Sequence, residues 1–192
     1  MVAGTPSPSA DGRSRSLADP FETLGLAPAF ALDSGLLEQR HRELSRALHP
    51  DRYAGRPASE RQQALGRAIE VNAAFRTLRD PVQRAEALLA RSGHAASETD
   101  GARPDPGFLM DVMEQREALG DARRKRDLPA VRALGAGVRA REARVTAELG
   151  LLFSAEKPEY ARISALLGEL RYHRRFLDEA GAIEDDLDEV SS

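Results

Sequence analysis

Apolar positions recur every three to four residues along most of this chain, and strict apolar–polar alternation is absent. Leu37, Leu44 and Leu48 form one stripe, with His41 in line, and Ala64, Ala68, Val71, Phe75 and Leu78 form a second. Val82, Ala85, Leu88 and Leu89 make a third. Further on come Val131/Leu134/Val138, Val145/Leu149/Leu152 and Ile163/Leu166/Leu167/Leu170. Each set falls on one face of an α-helix, so the fold class is all-α.

Start and stop signals divide these stripes into elements. Asp19-Pro20 predicts a short helix to Leu24, with Asp19 as cap, Pro20 in the first turn and Gly25 closing it. Phe21, Leu24 and Leu26 are expected to cover one end of a helical hairpin. The hairpin's first arm runs from an Asp33 cap to about Leu48. Its second runs from a Ser59 cap to about Arg79. Asp80-Pro81 opens a helix over 81–92, closed by Gly93. Residues 94–106, rich in Ser, Thr, Gly and Pro, read as a linker. Three longer helices follow. The first covers about Gly107–Arg126. The second runs from an Asp127 cap, with Pro129 in its first turn, to about Ser154, and the third from Lys157-Pro158 to about Val190. Short connections predict an antiparallel three-helix bundle over 107–192. The acidic stretch 184–189 reads as a solvated, fraying face, and residues 1–17 as a disordered tail. The two expected domains are therefore 18–93 and 107–192.

Composition narrows the function classes. Hydrophobic residues make up 41% and charged residues 31% of the 192, enough for modest cores with much solvated surface. Aromatics are 5%, so these are Leu/Ala/Val cores. With no cysteine there is no disulfide framework, thiolate nucleophile or Cys-ligated metal. No two of the four histidines stand at a close helical spacing, so no metal site is expected. The net charge of −3 speaks against nucleic acid as a partner, and no apolar run approaches a membrane span. The charge is uneven. Residues 1–94 carry 13 Arg against 11 acids, and residues 95–192 carry 15 Lys/Arg against 20 acids, which suggests two different partner surfaces. The tail has almost no apolar residues and no amphipathic pattern, so it reads as a bacterial N-terminus rather than a transit peptide. The expected setting is the bacterial cytoplasm, and nothing in the sequence demands more than a monomer.

The chemistry-bearing stretch is Leu48-His49-Pro50-Asp51-Arg52, between the two hairpin stripes. Pro50 lacks an N–H and biases His49 out of the α region, so the first arm must end there. Two antiparallel helices then present a charged tripeptide at their shared tip. This resembles the J-domain, whose His-Pro-Asp loop contacts an Hsp-seventy-type chaperone and stimulates its ATPase.

The resemblance narrows with Phe21-Glu22-Thr23-Leu24-Gly25-Leu26, His49-Pro50-Asp51-Arg52-Tyr53, the run Ile69-Glu70-Val71-Asn72-Ala73-Ala74-Phe75-Arg76-Thr77-Leu78, Pro81 with Arg84-Ala85-Glu86-Ala87-Leu88-Leu89, and Phe108-Leu109-Met110. Over about residues 19–190 these look like the HscB family, J-type co-chaperones of iron–sulfur cluster assembly. The resemblance implies a J-domain and a C-terminal three-helix bundle in an L shape. It also implies delivery of an IscU-type scaffold to an HscA-type chaperone, with no covalent chemistry and no cofactor of its own. Some eukaryotic members carry a Cys-based metal module, and the lack of cysteine here favours a bacterial source.

On that resemblance His49, Pro50 and Asp51 contact the chaperone, with Arg42, Arg46 and Arg52 as a basic patch beside them. Arg52 stands where Lys is frequent, keeping the charge with different geometry. His41 occupies a position the family usually fills with an aromatic, and is expected to pack half-buried. Leu109, Met110, Met113, Glu114, Glu117 and Asp121 match the family's scaffold-binding stretch, and Tyr172 matches an aromatic contributed by the last helix. Residues 110, 113, 114, 117 and 121 share one helix face. Periodicity alone would place the methionines in a core, and the resemblance turns them outward. The alternative function is a J-domain co-chaperone whose bundle recruits a different client. A helical enzyme lacks support, because no nucleophile–base pair or Gly-rich phosphate loop is present.

Overall fold

The computed structural model describes residues 19–94 and 105–190, with the side chain of Val190 left aside. The expected tail and residues 95–104 of the expected linker lie outside these residues. The elements in order are α1 (Pro20–Leu24), α2 (Ser34–Ala47), a 3-10 turn (Pro50–Tyr53), α3 (Ala58–Arg79), α4 (Pro81–Arg91), α5 (Pro106–Lys125), α6 (Leu128–Ser154) and α7 (Tyr160–Val190).

Aspartate caps set most of the starts. Asp19, Asp33, Asp80, Asp105 and Asp127 each accept hydrogen bonds from backbone N–H groups of the first turn they precede. Pro20, Pro81, Pro106 and Pro129 sit in first turns, where a missing N–H costs no helical bond. Gly25 and Gly93 adopt positive φ, 63° and 74°, at the ends of α1 and α4.

Four boundaries differ from the sequence reading. Ser59 does not cap α3, which starts at Ala58 after an extended Pro57 with no side-chain cap. The Pro57 carbonyl accepts the first bond, from Arg61 N–H at 3.1 Å. α5 starts at Pro106, inside the expected linker, because Asp105 caps it. α7 starts at Tyr160, two residues past Pro158, and the Glu159 carbonyl takes its first bond from Ile163 N–H. The acidic end of α7 is solvated at Asp185, Asp186 and Glu189, as expected, but stays helical to Val190 and is packed on its inner side. Ile183 is buried, Leu187 packs on the same cluster, and Arg132 of α6 reaches Glu184 at 3.5 Å and Asp188 at 2.8 Å.

The larger core draws on both expected domains. One cluster holds Phe21, Leu24, Phe30, Leu37, Val71, Leu78 and Leu89 together with Val145, Leu149, Ile163, Leu166, Leu167 and Leu170. The end of α6 and the start of α7 thus pass into the same core as the hairpin. Polar contacts cross at the same place. Arg171 of α7 donates to Glu86 of α4 from Nε at 3.2 Å and Nη2 at 2.6 Å, and Arg174 reaches Asp80 at 3.0 Å. A smaller cluster of Leu119, Ala122, Val131, Val138, Phe176, Ala180 and Ile183 fixes α5 on the far half of α6 and α7.

Candidate functional site

The hairpin tip is built by local geometry. Leu48 leaves α2 at φ −97°, ψ 8°, its N–H bonded to the Leu44 carbonyl at 3.0 Å. His49 is extended (φ −61°, ψ 133°), as the following proline requires, and caps the 3-10 turn. Its Nδ1 accepts from Asp51 N–H at 3.3 Å and lies 3.4 Å from Asp51 Oδ2. The Arg52 N–H donates to the His49 carbonyl at 3.0 Å. The loop's internal bonds therefore fix the backbone while the Asp51 side chain stays 89% exposed. A carboxylate in this setting is solvated, rigidly based and free to meet a cationic surface.

The neighbouring arginines differ from one another. Arg42 is exposed and paired to Glu38 at 3.3 Å, while Arg40 pairs with Glu43 at 3.2 Å. Arg46 and Arg52 are exposed, and neither has an ion-pair partner among the described residues. The last turn of α2 and the tip itself thus each carry an exposed cation without an ion-pair partner among the described residues.

Behind the tip, His41 stacks on Phe75 with centroids 4.1 Å apart and planes 14° apart, and its Nε2 lies 2.9 Å from Asn72 Oδ1. It ties α2 to α3 as the expected packing residue. His94 stacks on Tyr160 at 3.7 Å. Among the described residues no group of three or more His, Asp or Glu could hold a metal ion.

On α5 the sequence pattern resolves into two opposed faces. Gln115, Leu119 and Ala122 are buried, with Phe108 and Val112 half-buried on the same side. Leu109, Met110, Met113, Glu114 and Glu117 are exposed, Met110 at 64% and Met113 at 72%. The methionines are therefore not core residues. The exposed stripe begins apolar, passes through Glu114 and Glu117, and ends at a half-buried Asp121. That carboxylate is paired with Arg124, and Lys125 lies 3.9 Å away, so the last acid of the stripe is locally neutralised.

Tyr172 stands apart from this stripe. It rises from α7 beneath α5, donates its hydroxyl to the Val112 carbonyl at 3.3 Å, and meets Phe108 edge-on at 5.6 Å. The Arg116 guanidinium lies 6.0 Å from its ring centroid. Burial pushes the Tyr172 phenol above its ordinary value. Its role in this geometry is to seat α5 on α7. Sequence reasoning missed Val112, Arg116 and His173 as partners of that seat. The signal was present in the 108/112/115/119/122 spacing, which marks the inner side of α5.

A helical hairpin with His-Pro-Asp at its tip, joined to a three-helix bundle, defines a J-type co-chaperone architecture. Comparison with known proteins makes this specific. Residues 104–181 match the family model described as the HSCB C-terminal oligomerisation domain. The chain is 37% identical over 169 residues to a co-chaperone protein HscB homolog of Shewanella baltica, covering 87% of this chain and 97% of that one. The solved structure of the chaperone HscB from Vibrio cholerae superposes with a TM-score of 0.75 at 31% identity, covering 88% of this chain and 99% of the other. The human co-chaperone HscB shares the fold at a TM-score of 0.77 and 24% identity, over 93% of this chain and 84% of its own. The chain belongs to the HscB family of J-domain co-chaperones, which act in iron–sulfur cluster assembly and are not themselves enzymes.

Proposed function

We propose that this protein binds an IscU-type scaffold through the outer face of α5 and presents it to an HscA-type chaperone, whose ATPase it stimulates through the His-Pro-Asp tip. The observation that carries this reading is the exposed run Leu109, Met110 and Met113 continuing into Glu114 and Glu117. Flexible, polarisable methionines on a solvent face suit docking of a partner, and the flanking acids give that face a sign. At the tip, Asp51 offers a carboxylate, and Arg46 and Arg52 offer unpaired charge toward an acidic partner surface. Such rim charges mostly set on-rate and salt dependence. In this reading Asp121 and Tyr172 are supporting residues, one at the end of the stripe and one beneath it. The setting we infer is the bacterial cytoplasm, in keeping with the bacterial relatives. Among the described residues no helix is long and apolar enough to cross a membrane.

The test is calorimetric titration with an IscU-type scaffold, Met110→Ala run beside the parent chain. The expected result is saturable binding, weakened at least about tenfold by the substitution, as for an anchor side chain worth about 1.4 kcal/mol or more. Unchanged affinity in a folded variant would move the docking face elsewhere. Sedimentation of the chain alone tests the monomer expected from sequence against the self-association that the family model's description names.

A further inference from the structure

A cavity of about 320 Å³ opens between α5, α6 and α7, inward of the exposed stripe. Two of the residues that line it, His173 (3% exposed) and Gln115 (9% exposed), each carry a buried side-chain atom without a hydrogen-bond partner, Nδ1 and Oε1. Buried polar atoms are nearly always satisfied, so two orphans on residues of one cavity wall mark a place for a polar occupant. The volume lies within the range of small-molecule pockets.

The charges on the walls indicate the kind of occupant. Arg162 and Glu148 cancel each other through a contact of 2.8 Å. Arg141 and Arg144 lie three residues apart on one face of α6, and neither has an ion-pair partner among the described residues. Two acids remain. Asp111 is exposed, and the half-buried carboxyl of Glu169 is pushed above its ordinary value, first by burial. Burial also lowers the His173 imidazole, with Arg141 and Arg144 adding to the effect, so the ring stays neutral and keeps one N–H to donate. Water could satisfy the two orphaned atoms, whereas Arg141 and Arg144, each without an ion-pair partner among the described residues, bring charge to the wall that an anion would meet.

We propose that this cavity binds a small oxyanion, a carboxylate or phosphate group, held by Arg141 and Arg144 and seated against His173 and Gln115. Guanidinium–oxyanion contacts are the strong, charge-assisted kind. The Gln115 amide meets the ligand as acceptor for a hydroxyl or, turned end for end, as donor. Phe108, Asp111 and Gln115 bring α5 to the cavity wall, so an occupant would brace the inner side of the helix that carries Met110 and Met113.

The experiment uses the full chain without any partner, so its result is independent of the scaffold reading. The Cε1–H resonance of His173, assigned by its loss in His173→Gln, is followed at neutral pH while inorganic phosphate or malate is added at constant ionic strength. A saturable shift confined to His173, weakened roughly tenfold or more in Arg141→Gln and in Arg144→Gln, is expected. Saturation by phosphate identifies a phosphate site, and saturation by malate a carboxylate site. No saturable shift with either probe overturns the proposal, as does an equal shift on adding chloride or in both arginine variants. The cavity would then hold only water.

Discussion

Two histidines show how neighbours decide what an imidazole does. His41 is half-buried, stacked on Phe75 and bonded to Asn72, so its polar edge is satisfied. His173 is buried with Nδ1 unpartnered, and burial, then Arg141 and Arg144, hold its pKa below the ordinary 6.5. Below that ordinary value the unfolded chain takes up a proton more readily than the folded one. The His173 contribution to stability is therefore full above about pH 6.5 and is lost as pH falls from there through the lower folded-state pKa. Urea unfolding at about pH 7.5 and about pH 5.5 should give a smaller acid-side loss in His173→Gln than in the parent. An equal loss in both chains would show that the ring carries no such penalty. Asp51 is the opposite case, a carboxylate left in water by a loop that spends its hydrogen bonds on the backbone.

At the scale of the element, α5 is a helix with two readable sides and one strained end. The 3.6-residue period alone could not rank the sides, because residues 108/112/115/119/122 and 110/113/114/117/121 are both helical stripes. Met110 and Met113 would satisfy a core as well as a docking face, and only packing against α6 and α7 turns them outward. The strained end is Arg126, which follows α5 in the left-handed region at φ 54° and sends its N–H to the Ala122 and Arg123 carbonyls. A side chain with a Cβ pays about 1 kcal/mol there that glycine does not. Arg126→Gly should therefore raise unfolding stability by roughly that amount, measured by denaturant melts, with no change in partner binding. Destabilisation would mean that the arginine side chain makes contacts worth more than the strain. The start signals of four helices, α1, α2, α4 and α6, were legible because a cap or a first-turn proline acts within one turn. The Ser59 start failed because a preceding extended proline already ended the loop.

At the scale of the whole molecule, the tip and the α5 face belong to one packed body. Leu149, Ile163, Leu167 and Leu170 of the long α6–α7 pair are buried with Leu37, Val71 and Leu78 of the hairpin region. The Arg171–Glu86 and Arg174–Asp80 pairs span the same junction. The sequence shows residues 94–106 as a linker between two expected domains and does not show which stripes pack across it. Each stripe announces that it is buried, but not against what. Leu149→Ala should cost about 2–5 kcal/mol and shift the melting of probes in α3 and α5 together. Loss from only one side would mean that the two halves unfold independently.

The central claim is that one chain carries two separable faces. It is tested most directly by chaperone ATPase turnover with an HscA-type partner and an IscU-type scaffold, comparing the parent chain with Asp51→Ala and Met110→Ala. The account predicts that Asp51→Ala abolishes stimulation with and without scaffold. Met110→Ala should keep the scaffold-independent stimulation and lose only the increment that scaffold adds. Equal loss of both activities in both folded variants would contradict it.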